Sequence, residues 1–374
     1  MIKFFIRGID WVLFPSTLML LGAGLFAMNS FVSESYFFNR QLIWIGIALL
    51  VFFIFSLIDF RFLRRSGVLI AIFLFLSVVL GVLLVVGEAV KGSTSWFRFG
   101  SVSLQPSDFM KLILVLMLAK YFSRRHVEIA NIRHIVISGL YAMVPLILIL
   151  LQKDFGSTVI IFLIWFGMTI VSGISKKHLL LVITTATVAF GLLWLFAFSA
   201  NQKARIVSFI QPLADVRGAG YNAFQSTIAV GSGQLWGKGV GYGTQSRLEF
   251  LPEYETDFIF AAFAEEWGFV GVMVLFTLFG LVIWRILVIA FKGDSNFESL
   301  YGLGLAIIFI SHFTINVGMN MGLLPVTGLT LPFVSYGGSH LLMEFMGLGI
   351  LMGMRRYSRA FHRSQLQNEF LGAV

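Results

Sequence analysis

The sequence predicts an all-α, polytopic membrane protein with about ten transmembrane helices, because three of its properties agree. Of its 374 residues, 58% are hydrophobic and only 12% are charged, whereas a soluble protein carries more charge at its surface. Apolar runs of roughly 18 or more residues recur along the chain, and this length crosses a bilayer as a helix. The two-residue alternation of membrane strands is not the dominant pattern. We therefore expect a single integral membrane domain over residues 1–374.

Ten apolar stretches supply the predicted spans. They lie near residues 11–30, 41–60, 67–87, 109–123, 133–151, 155–172, 178–199, 259–291, 299–319 and 339–354. No small-residue cleavage site follows the first stretch, so it is predicted to be a retained helix. The stretch 259–291 is too long for one straight crossing. Its first turns, which contain Glu265 and Glu266, are expected at the outer interface or in a cavity.

Basic residues predict the orientation of these spans. One side carries Lys3, Arg7, Arg61, Arg64, Arg65, Lys120, Arg124, Arg125, Arg133, Lys176, Lys177, Arg285, Lys292, Arg355, Arg356, Arg359 and Arg363. The positive-inside rule makes this side cytoplasmic and places both termini there. Much of the net charge of +9 is then a topology signal, so we expect no nucleic-acid partner. The chain has no cysteine, which excludes thiol chemistry, disulfides and cysteine-ligated metals.

This topology places four polar segments outside: residues 34–40, residues 88–108, a long loop at 200–258 between the seventh and eighth helices, and an uncharged loop at 320–338. Against the positive-inside bias, basic residues remain on this side: Arg40, Lys91, Arg98, Lys111, Lys203, Arg205, Arg217, Lys238 and Arg247. Two explanations stay open. The cations bind an anionic ligand at the outer face, or they pair with Glu249, Glu253, Glu255 and Asp257 of the long loop.

The stretch Gln105-Pro-Ser-Asp108-Phe-Met-Lys111 predicts a helix start, in which Ser107 or Asp108 caps free N–H groups. Lys111 then lies one turn into a span. It either extends along the helix to the lipid headgroups or faces the bundle interior, where charges usually mark a substrate path. Asp154, at a sharp turn between two apolar runs, is predicted to cap a helix or to pair with Lys153.

The segment from Gly231 to Gly243 is rich in glycine. It does not fit a phosphate-binding P-loop, because Lys238 is followed by glycine and no strand precedes the segment. We expect a glycine-rich hairpin that closely approaches a lipid or a sugar. The uncharged segment from Pro325 to Ser339 is too interrupted by Pro and Gly for a regular helix. It is predicted to be a re-entrant segment against a cavity, faced by His312, Asn316 and Glu344.

Asp257 follows Thr256 at the start of the eighth span. One interpretation is that it caps this helix or compensates its dipole. The alternative is a carboxylate that acts as a general base at the membrane face, with a pKa raised by its apolar neighbours.

At these residues the chain resembles a known family, the SEDS proteins (shape, elongation, division and sporulation) of the RodA and FtsW group. The matching stretches are Trp96…Gly100…Gln105-Pro-Ser-Asp-Phe-Met-Lys111, Asp154-Phe-Gly, Ala229-Val-Gly-Ser-Gly with Gly237-Lys-Gly, Leu251-Pro-Glu with Thr256-Asp-Phe-Ile-Phe, and Pro325-Val-Thr-Gly through Ser335-Tyr-Gly-Gly. They follow the family's order over nearly the whole chain. The segment from Gly241 to Glu253 is more similar to the elongation branch than to the division branch.

The resemblance implies a ten-helix peptidoglycan glycosyltransferase of the bacterial cytoplasmic (inner) membrane, which polymerises lipid II on the outer leaflet. It also implies a class B penicillin-binding protein as the transpeptidase partner, among other elongation-complex membrane proteins. The family's essential aspartate falls on Asp257, and its conserved lysine falls on Lys111. Three positions depart from the pattern: His340 where Ser is common, Glu344 where Asn is usual, and Lys153 where Pro or Asn is frequent. The hydrogen-bond pattern of the last span is therefore expected to differ.

Residues and resemblance lead to one mechanistic hypothesis. Asp257 is the general base, and Lys111, Arg98, Arg205 and Arg247 are candidate contacts to the pyrophosphate. Asp108, Lys238, Ser335 and Tyr336 complete the predicted substrate-binding set. No ligand cluster demands a metal, although a divalent cation is allowed. Two alternatives stay open: a flippase or transporter of the lipid-linked precursor, and a non-catalytic scaffold of a cell-wall synthase.

Overall fold

A computed structural model describes most of the chain. The described residues are 8–30, 36–64, 66–87, 93–99, 102–124, 131–196, 198–211, 220–248 and 250–370. Several residues that the sequence singled out lie outside these ranges, among them Lys3, Arg7, Lys91, Arg217 and Glu249.

Helices make up nearly all the regular structure. In chain order they are α1 (Leu13–Ser30), α2 (Tyr36–Leu57), α3 (Ser66–Val86), α4 (Pro106–Ser123), α5 (Ile132–Leu151), α6 (Phe155–Val171), α7 (Lys176–Phe196), α8 (Ala200–Ile210), α9 (Tyr221–Ser232), α10 (Thr244–Arg247), α11 (Ile259–Phe291), α12 (Asn296–Asn320) and α13 (Gly338–Phe370). A 3-10 helix, Phe60–Arg64, precedes α3. The antiparallel strands β1 (Phe97–Phe99) and β2 (Val102–Leu104) precede α4.

The chain is a multi-pass, all-α membrane protein, as predicted. Seven described helices are long and apolar enough to cross a membrane, namely α1, α2, α3, α5, α7, α11 and α12. Helix α6 is apolar but shorter, and α4 and α13 carry charged residues. Each of the ten predicted spans coincides with one of these ten helices, while the number of crossings stays a prediction.

Helix α4 lies inside the bundle, in contact with α3, α5, α6, α12 and α13. Most of its side chains are buried, including the charged Asp108 and Lys111. Helix α13 packs along α2, and α11 packs between α1 and α12. In contrast, α7, described over its full length, has no buried residue. The interior of the bundle is therefore built around α4, α12 and the first half of α13.

The segment 321–337 connects α12 to α13 without regular helix, as its Pro and Gly residues predicted, while its re-entrant course stays a prediction. Its side chains Leu329, Leu331, Phe333 and Val334 are buried. An ideal Cβ on Gly24 would lie 2.2 Å from the main-chain oxygen of Val334, so only glycine lets α1 approach this backbone. Irregular backbone that is packed against protein in this way is tolerated at membrane depth.

The long polar segment 200–258, which was expected to be a loop, contains three helices, α8, α9 and α10. Helix α8 begins with a capping box, in which the Ser199 side chain accepts from the Gln202 N–H and the Gln202 side chain accepts from the Ser199 N–H. Helix α9 packs against α11 and α12. Local capping and docking on the bundle therefore order a segment whose composition indicated a loop.

Helix α11 is broken at Gly268, which has φ 64° and ψ −167°. An unbroken helix would join the N–H of Phe269 and Val270 to the C=O of Glu265 and Glu266. Residues 233–241, here called the glycine-rich clasp, bind all four groups instead. Lys238 N and Gly239 N donate to Glu265 O and Glu266 O at 3.0 and 3.1 Å, and Gln234 O and Leu235 O accept from Phe269 N and Val270 N at 2.9 and 3.1 Å.

The expectation that 259–291 is not one straight span is thus confirmed, and Glu265 and Glu266 lie buried beneath the clasp. The clasp approaches its own chain closely. An ideal Cβ on Gly237 would lie 2.1 Å from Glu266 O, and one on Gly268 would lie 2.2 Å from Gly237 N. Both glycines have positive φ, which other residues rarely adopt.

Candidate active site

Asp257 is the last polar residue before α11, and its main chain is held by two asparagines of α12. Asn316 Nδ2 and Asn320 Nδ2 each donate to the main-chain oxygen of Asp257 at 3.0 Å. Asn316 Nδ2 also donates to Leu329 O at 2.6 Å. Because Asn316 and Asn320 are one helical turn apart, the end of α12 fixes the backbone from which the Asp257 carboxylate projects.

Both polar atoms of the buried Asn320 side-chain amide, Nδ2 and Oδ1, form hydrogen bonds. Nδ2 donates to Asp257 O and, at 2.8 Å, to Asn316 O. Oδ1 accepts from Ala261 N at 3.2 Å and lies 3.3 Å from the Ser226 hydroxyl, which donates to Asn320 O at 2.8 Å. A single side chain therefore connects α9, the first turn of α11 and the backbone of Asp257.

The segment 321–337 completes the surroundings of Asp257. The Ser335 hydroxyl donates to Thr256 O at 2.6 Å, and Tyr336 N donates to Glu255 O at 2.9 Å. Gly328 has φ +76°, and an ideal Cβ placed on it would lie 3.4 Å from Asp257 Oδ2. The structure thus brings the predicted residues Asp257, Ser335 and Tyr336 together, with Ser335 and Tyr336 holding the backbone on the N-terminal side of Asp257.

A cluster of charged side chains lies buried between α4, α12 and α13. Lys111 Nζ donates to Asp108 Oδ1 at 3.0 Å and lies 3.4 Å from His312 Nε2. Ser339 Oγ donates to Asp108 Oδ2 at 2.9 Å. The side chains of Lys111 and Asp108 are only 1% and 3% exposed. Lys111 therefore faces the bundle interior and does not extend to the headgroups. Of the two interpretations that the sequence left open, the interior one is correct.

The cluster continues along α13 through His340. Its Nδ1 lies 3.5 Å from Asp108 Oδ1, and its Nε2 lies 3.1 Å from Glu344 Oε1. The carboxylate of Glu344 accepts from Phe333 N at 3.1 and 3.2 Å. These two departures from the family pattern thus lie in contact with each other, and the polar contacts of the last span include this buried His340–Glu344 pair.

Phe333 connects the buried charged cluster to the residues that hold the Asp257 backbone. It adopts φ 64°, a strained conformation for a bulky residue, and Glu344 holds its N–H. Two residues later, Ser335 contacts the backbone beside Asp257. On α12, His312 of the charged cluster lies one turn before Asn316, which binds Asp257. The buried cluster and the Asp257 backbone therefore belong to one continuous polar region.

The other predicted substrate contacts are exposed or bind other groups of the chain. Arg98, on β1, and Arg205, on α8, are exposed. Lys238 Nζ binds Glu265 Oε1 at 2.7 Å and Thr244 Oγ1 at 2.8 Å, and Arg247 Nη1 donates to Gly241 O at 3.3 Å. Lys238 thus pairs with a buried carboxylate of α11. Asp154 caps α6 by accepting from Ser157 N at 2.9 Å, as predicted.

Metal-binding side chains do not converge in this region: in the described part of the chain, no three His, Asp or Glu residues are arranged to hold a metal ion. The sequence reasoning also missed two contributors, Asn320 and Ser339. Asn320 had a usable signal, because it repeats the buried amide of Asn316 at a spacing of one turn. The contact of Ser339 with Asp108 joins segments more than 200 residues apart, and no local pattern indicates it.

Together, these features define a class of protein: a polytopic membrane protein with a carboxylate at the rim of the bundle and a buried cation in the polar region behind it. The family model FtsW/RodA/SpoVE, described as cell cycle protein, matches residues 4–360. The chain belongs to this family.

Similar proteins support this family membership. Peptidoglycan glycosyltransferase MrdB of Escherichia coli strain K12 is 37% identical over 278 residues, which cover 74% of this chain and 75% of that protein. RodA, the rod shape determining protein of Thermus thermophilus, has a crystal structure similar to this one, with 28% identity, a TM-score of 0.71, and coverage of 93% and 97% of the two chains. A structure described as a peptidoglycan synthase complex that coordinates polymerization and crosslinking contains a similar chain, with 28% identity, a TM-score of 0.80, and coverage of 93% and 98%.

Proposed function

We propose that this chain polymerises lipid II into glycan strands at the outer face of the bacterial cytoplasmic membrane, with Asp257 as the general base. Membership of the family makes it a glycosyltransferase of peptidoglycan synthesis. The observation that supports the assignment to Asp257 is its fixed backbone, which Asn316 and Asn320 hold on one side and the segment 321–337 on the other.

The chemistry requires a base and a positive charge. A sugar hydroxyl of the acceptor attacks the anomeric carbon of the donor, and the bond from that carbon to the lipid diphosphate breaks. In this proposal, Asp257 takes the hydroxyl proton, and basic residues stabilise the negative charge that develops on the leaving diphosphate. Fixed charges in a site that excludes water stabilise such charge strongly.

Lys111 is the basic residue that we favour for this role, because it is buried in the polar region that includes Asp257. Asp108 neutralises Lys111 in the resting site and keeps its ammonium in place. Arg98, Arg205 and Arg247 are proposed as outer contacts that guide the lipid diphosphate. Lys238, bound to Glu265, reaches the substrate in this proposal only by leaving that partner.

Three further parts of the proposal concern the surroundings of the enzyme. Both termini lie in the cytoplasm, as the distribution of basic residues indicates. The crosslinking partner is a class B penicillin-binding protein, alongside other membrane proteins of the elongation complex. A divalent cation required by the reaction would bind together with the diphosphate of the substrate. Polymerisation measured with and without magnesium tests this requirement.

The central test is polymerisation of lipid II by the purified chain, with and without a class B partner. Asp257→Asn is expected to fold normally and to lower polymerisation at least 100-fold, since the amide cannot accept the proton at neutral pH. Asp294→Asn is the matched control, because Asp294 lies in the turn between α11 and α12, away from Asp257.

Each outcome discriminates between functions. Full activity of a folded Asp257→Asn protein would overturn the assignment of the base. Absence of glycan strands from the wild type, with and without the partner, would favour the flippase or scaffold alternative, and a vesicle assay of precursor flipping would then separate those two.

A further inference from the structure

The glycine-rich clasp combines features that are unusual for a loop in water. Its partners Glu265 and Glu266, on α11, are 0% and 3% exposed. Its apolar residues Leu235 and Trp236 are 62% and 79% exposed. A loop surrounded by water places its charges outward and its large apolar side chains inward. The opposite arrangement indicates that the outward side of this loop meets an apolar medium.

The backbone of the clasp fixes its depth relative to α11. Gln234 O and Leu235 O accept from Phe269 N and Val270 N, so Leu235 and Trp236 lie level with the start of the second half of α11. Phe269 and Val270 are 56% and 42% exposed. The outward side chains of the clasp are therefore continuous with the exposed face of α11.

That face of α11 is apolar and exposed, as expected of a helix long and apolar enough to cross a membrane. Below Val270 it continues through Met273 and Val274, which are 47% and 56% exposed. The half-helix Phe269–Phe291 is about 34 Å long at 1.5 Å per residue, which spans a hydrocarbon core of about 30 Å. Lys292, which directly follows Phe291, is exposed, and it marks the opposite boundary of the bilayer. The kink at Gly268 thus lies at the membrane–water boundary on the side of Asp257.

We propose that the glycine-rich clasp is embedded in the lipid–water interface of the leaflet on the Asp257 side, with Leu235 and Trp236 inserted among the lipids. Tryptophan is the side chain that membrane proteins favour at this depth. Insertion fixes the height of the kink, and through α11 it fixes the height of Asp257, which lies about 11 residues before Gly268 in the chain. This inference does not depend on the proposed reaction.

The test uses the full chain in nanodiscs of phosphatidylethanolamine and phosphatidylglycerol. Because the sequence contains no cysteine, Leu235→Cys and Trp236→Cys each introduce one spin-labelling site. Val274→Cys, on the exposed face of α11, is the lipid-facing reference, and Asp294→Cys, in the exposed turn before α12, is the aqueous reference. Collision with oxygen, which concentrates in lipid, is compared with collision with a water-soluble nickel chelate.

We expect the labels at positions 235 and 236 to favour oxygen over the nickel chelate, with a ratio of the two accessibilities close to that at position 274 and several-fold above that at position 294. A ratio equal to that at position 294 would show that the clasp faces water and would overturn the proposal. Protection of both labels from both reagents would overturn it too, because it would show that protein covers the clasp. Elution volume and melting temperature identify variants that fail to fold, and Val240→Cys offers a further site on the same segment.

Discussion

At the scale of single residues, variants of the buried pair Lys111 and Asp108 distinguish a role of Lys111 in stability from a role in catalysis. Lys111→Met leaves the Asp108 carboxylate buried without its ammonium partner, and breaking a buried pair in this way costs about 3–5 kcal/mol. The double variant Asp108→Asn/Lys111→Met removes both charges, so we expect it to recover most of the melting temperature. Polymerisation is expected to stay at least tenfold low in both, because neither supplies a cation to the diphosphate.

Lys120→Met is the matched control for Lys111→Met. Lys120 is also a buried lysine of α4, but it lies near the other end of the helix and donates to Leu63 O at 3.2 Å. Its replacement should leave polymerisation per folded molecule unchanged. Recovery of polymerisation in the Asp108→Asn/Lys111→Met protein would contradict the proposed role of Lys111 in binding the substrate.

Asn320 supports a second prediction at this scale. Asn320→Asp keeps an oxygen that accepts from Ala261 N but removes the two N–H groups that bind Asp257 O and Asn316 O. Asp257 O keeps the hydrogen bond from Asn316 but loses the one from Asn320, and each lost hydrogen bond costs about 0.5–1.5 kcal/mol, so the backbone of Asp257 is held less firmly. We expect a lower melting temperature and a kcat reduced about tenfold or more, with KM changed less. A kcat per folded molecule equal to that of the wild type would limit Asn320 to a role in stability.

At the scale of elements, the clasp on α11 depends on two glycines. Gly268→Ala and Gly237→Ala each place a Cβ about 2 Å from main-chain atoms of the other segment and require positive φ from a non-glycine residue. We expect each variant to lose at least about 2 kcal/mol of stability. Gly280→Ala, on the same helix, meets nothing within 4 Å and is expected to be neutral or stabilising by up to about 1 kcal/mol. Thermal unfolding in detergent gives the comparison, and equal losses in all three would contradict the proposed clasp.

The helices and their contacts also show which features of the fold the sequence predicts. Hydropathy runs located all ten helices that correspond to predicted spans, since a run of apolar residues is a local property. The length of 259–291 indicated a break, but not that Gly268 makes it or that residues 233–241 bind the free backbone groups. The burial of Lys111 required His312, Ser339 and Asp108 to converge from three helices, and the support of Asp257 joins α12 to a segment about 60 residues earlier. Contacts over such separations leave no periodic signal in the chain.

At the scale of the whole molecule, Asp10 joins three helices at the bundle end opposite to Asp257. Its carboxylate accepts from Leu13 N and Val12 N at the start of α1, from Arg285 of α11 at 2.5 and 3.1 Å, and from Arg355 of α13 at 2.7 Å. Burial alone would raise the pKa of Asp10, but the hydrogen bonds from Arg285 and Leu13 and the charge of Arg355 outweigh it. They lower the pKa from 3.8 to about 2.

The lowered pKa of Asp10 predicts the direction in which the stability of the fold changes with pH. A carboxyl group whose pKa is lower in the folded protein stabilises the fold above its unfolded pKa, here 3.8, and this contribution is lost as the pH falls toward 2. Asp10→Asn should therefore lower the melting temperature by a similar amount at every pH from 5 to 8, and the difference from the wild type should shrink below pH 4. The same replacement at Asp59, which pairs with Arg61 at the surface, is expected to change the melting temperature little, because exposed pairs contribute at most about 1 kcal/mol. If the destabilisation by Asp10→Asn instead grew between pH 8 and pH 5, the charge on Asp10 would not be what joins α1, α11 and α13.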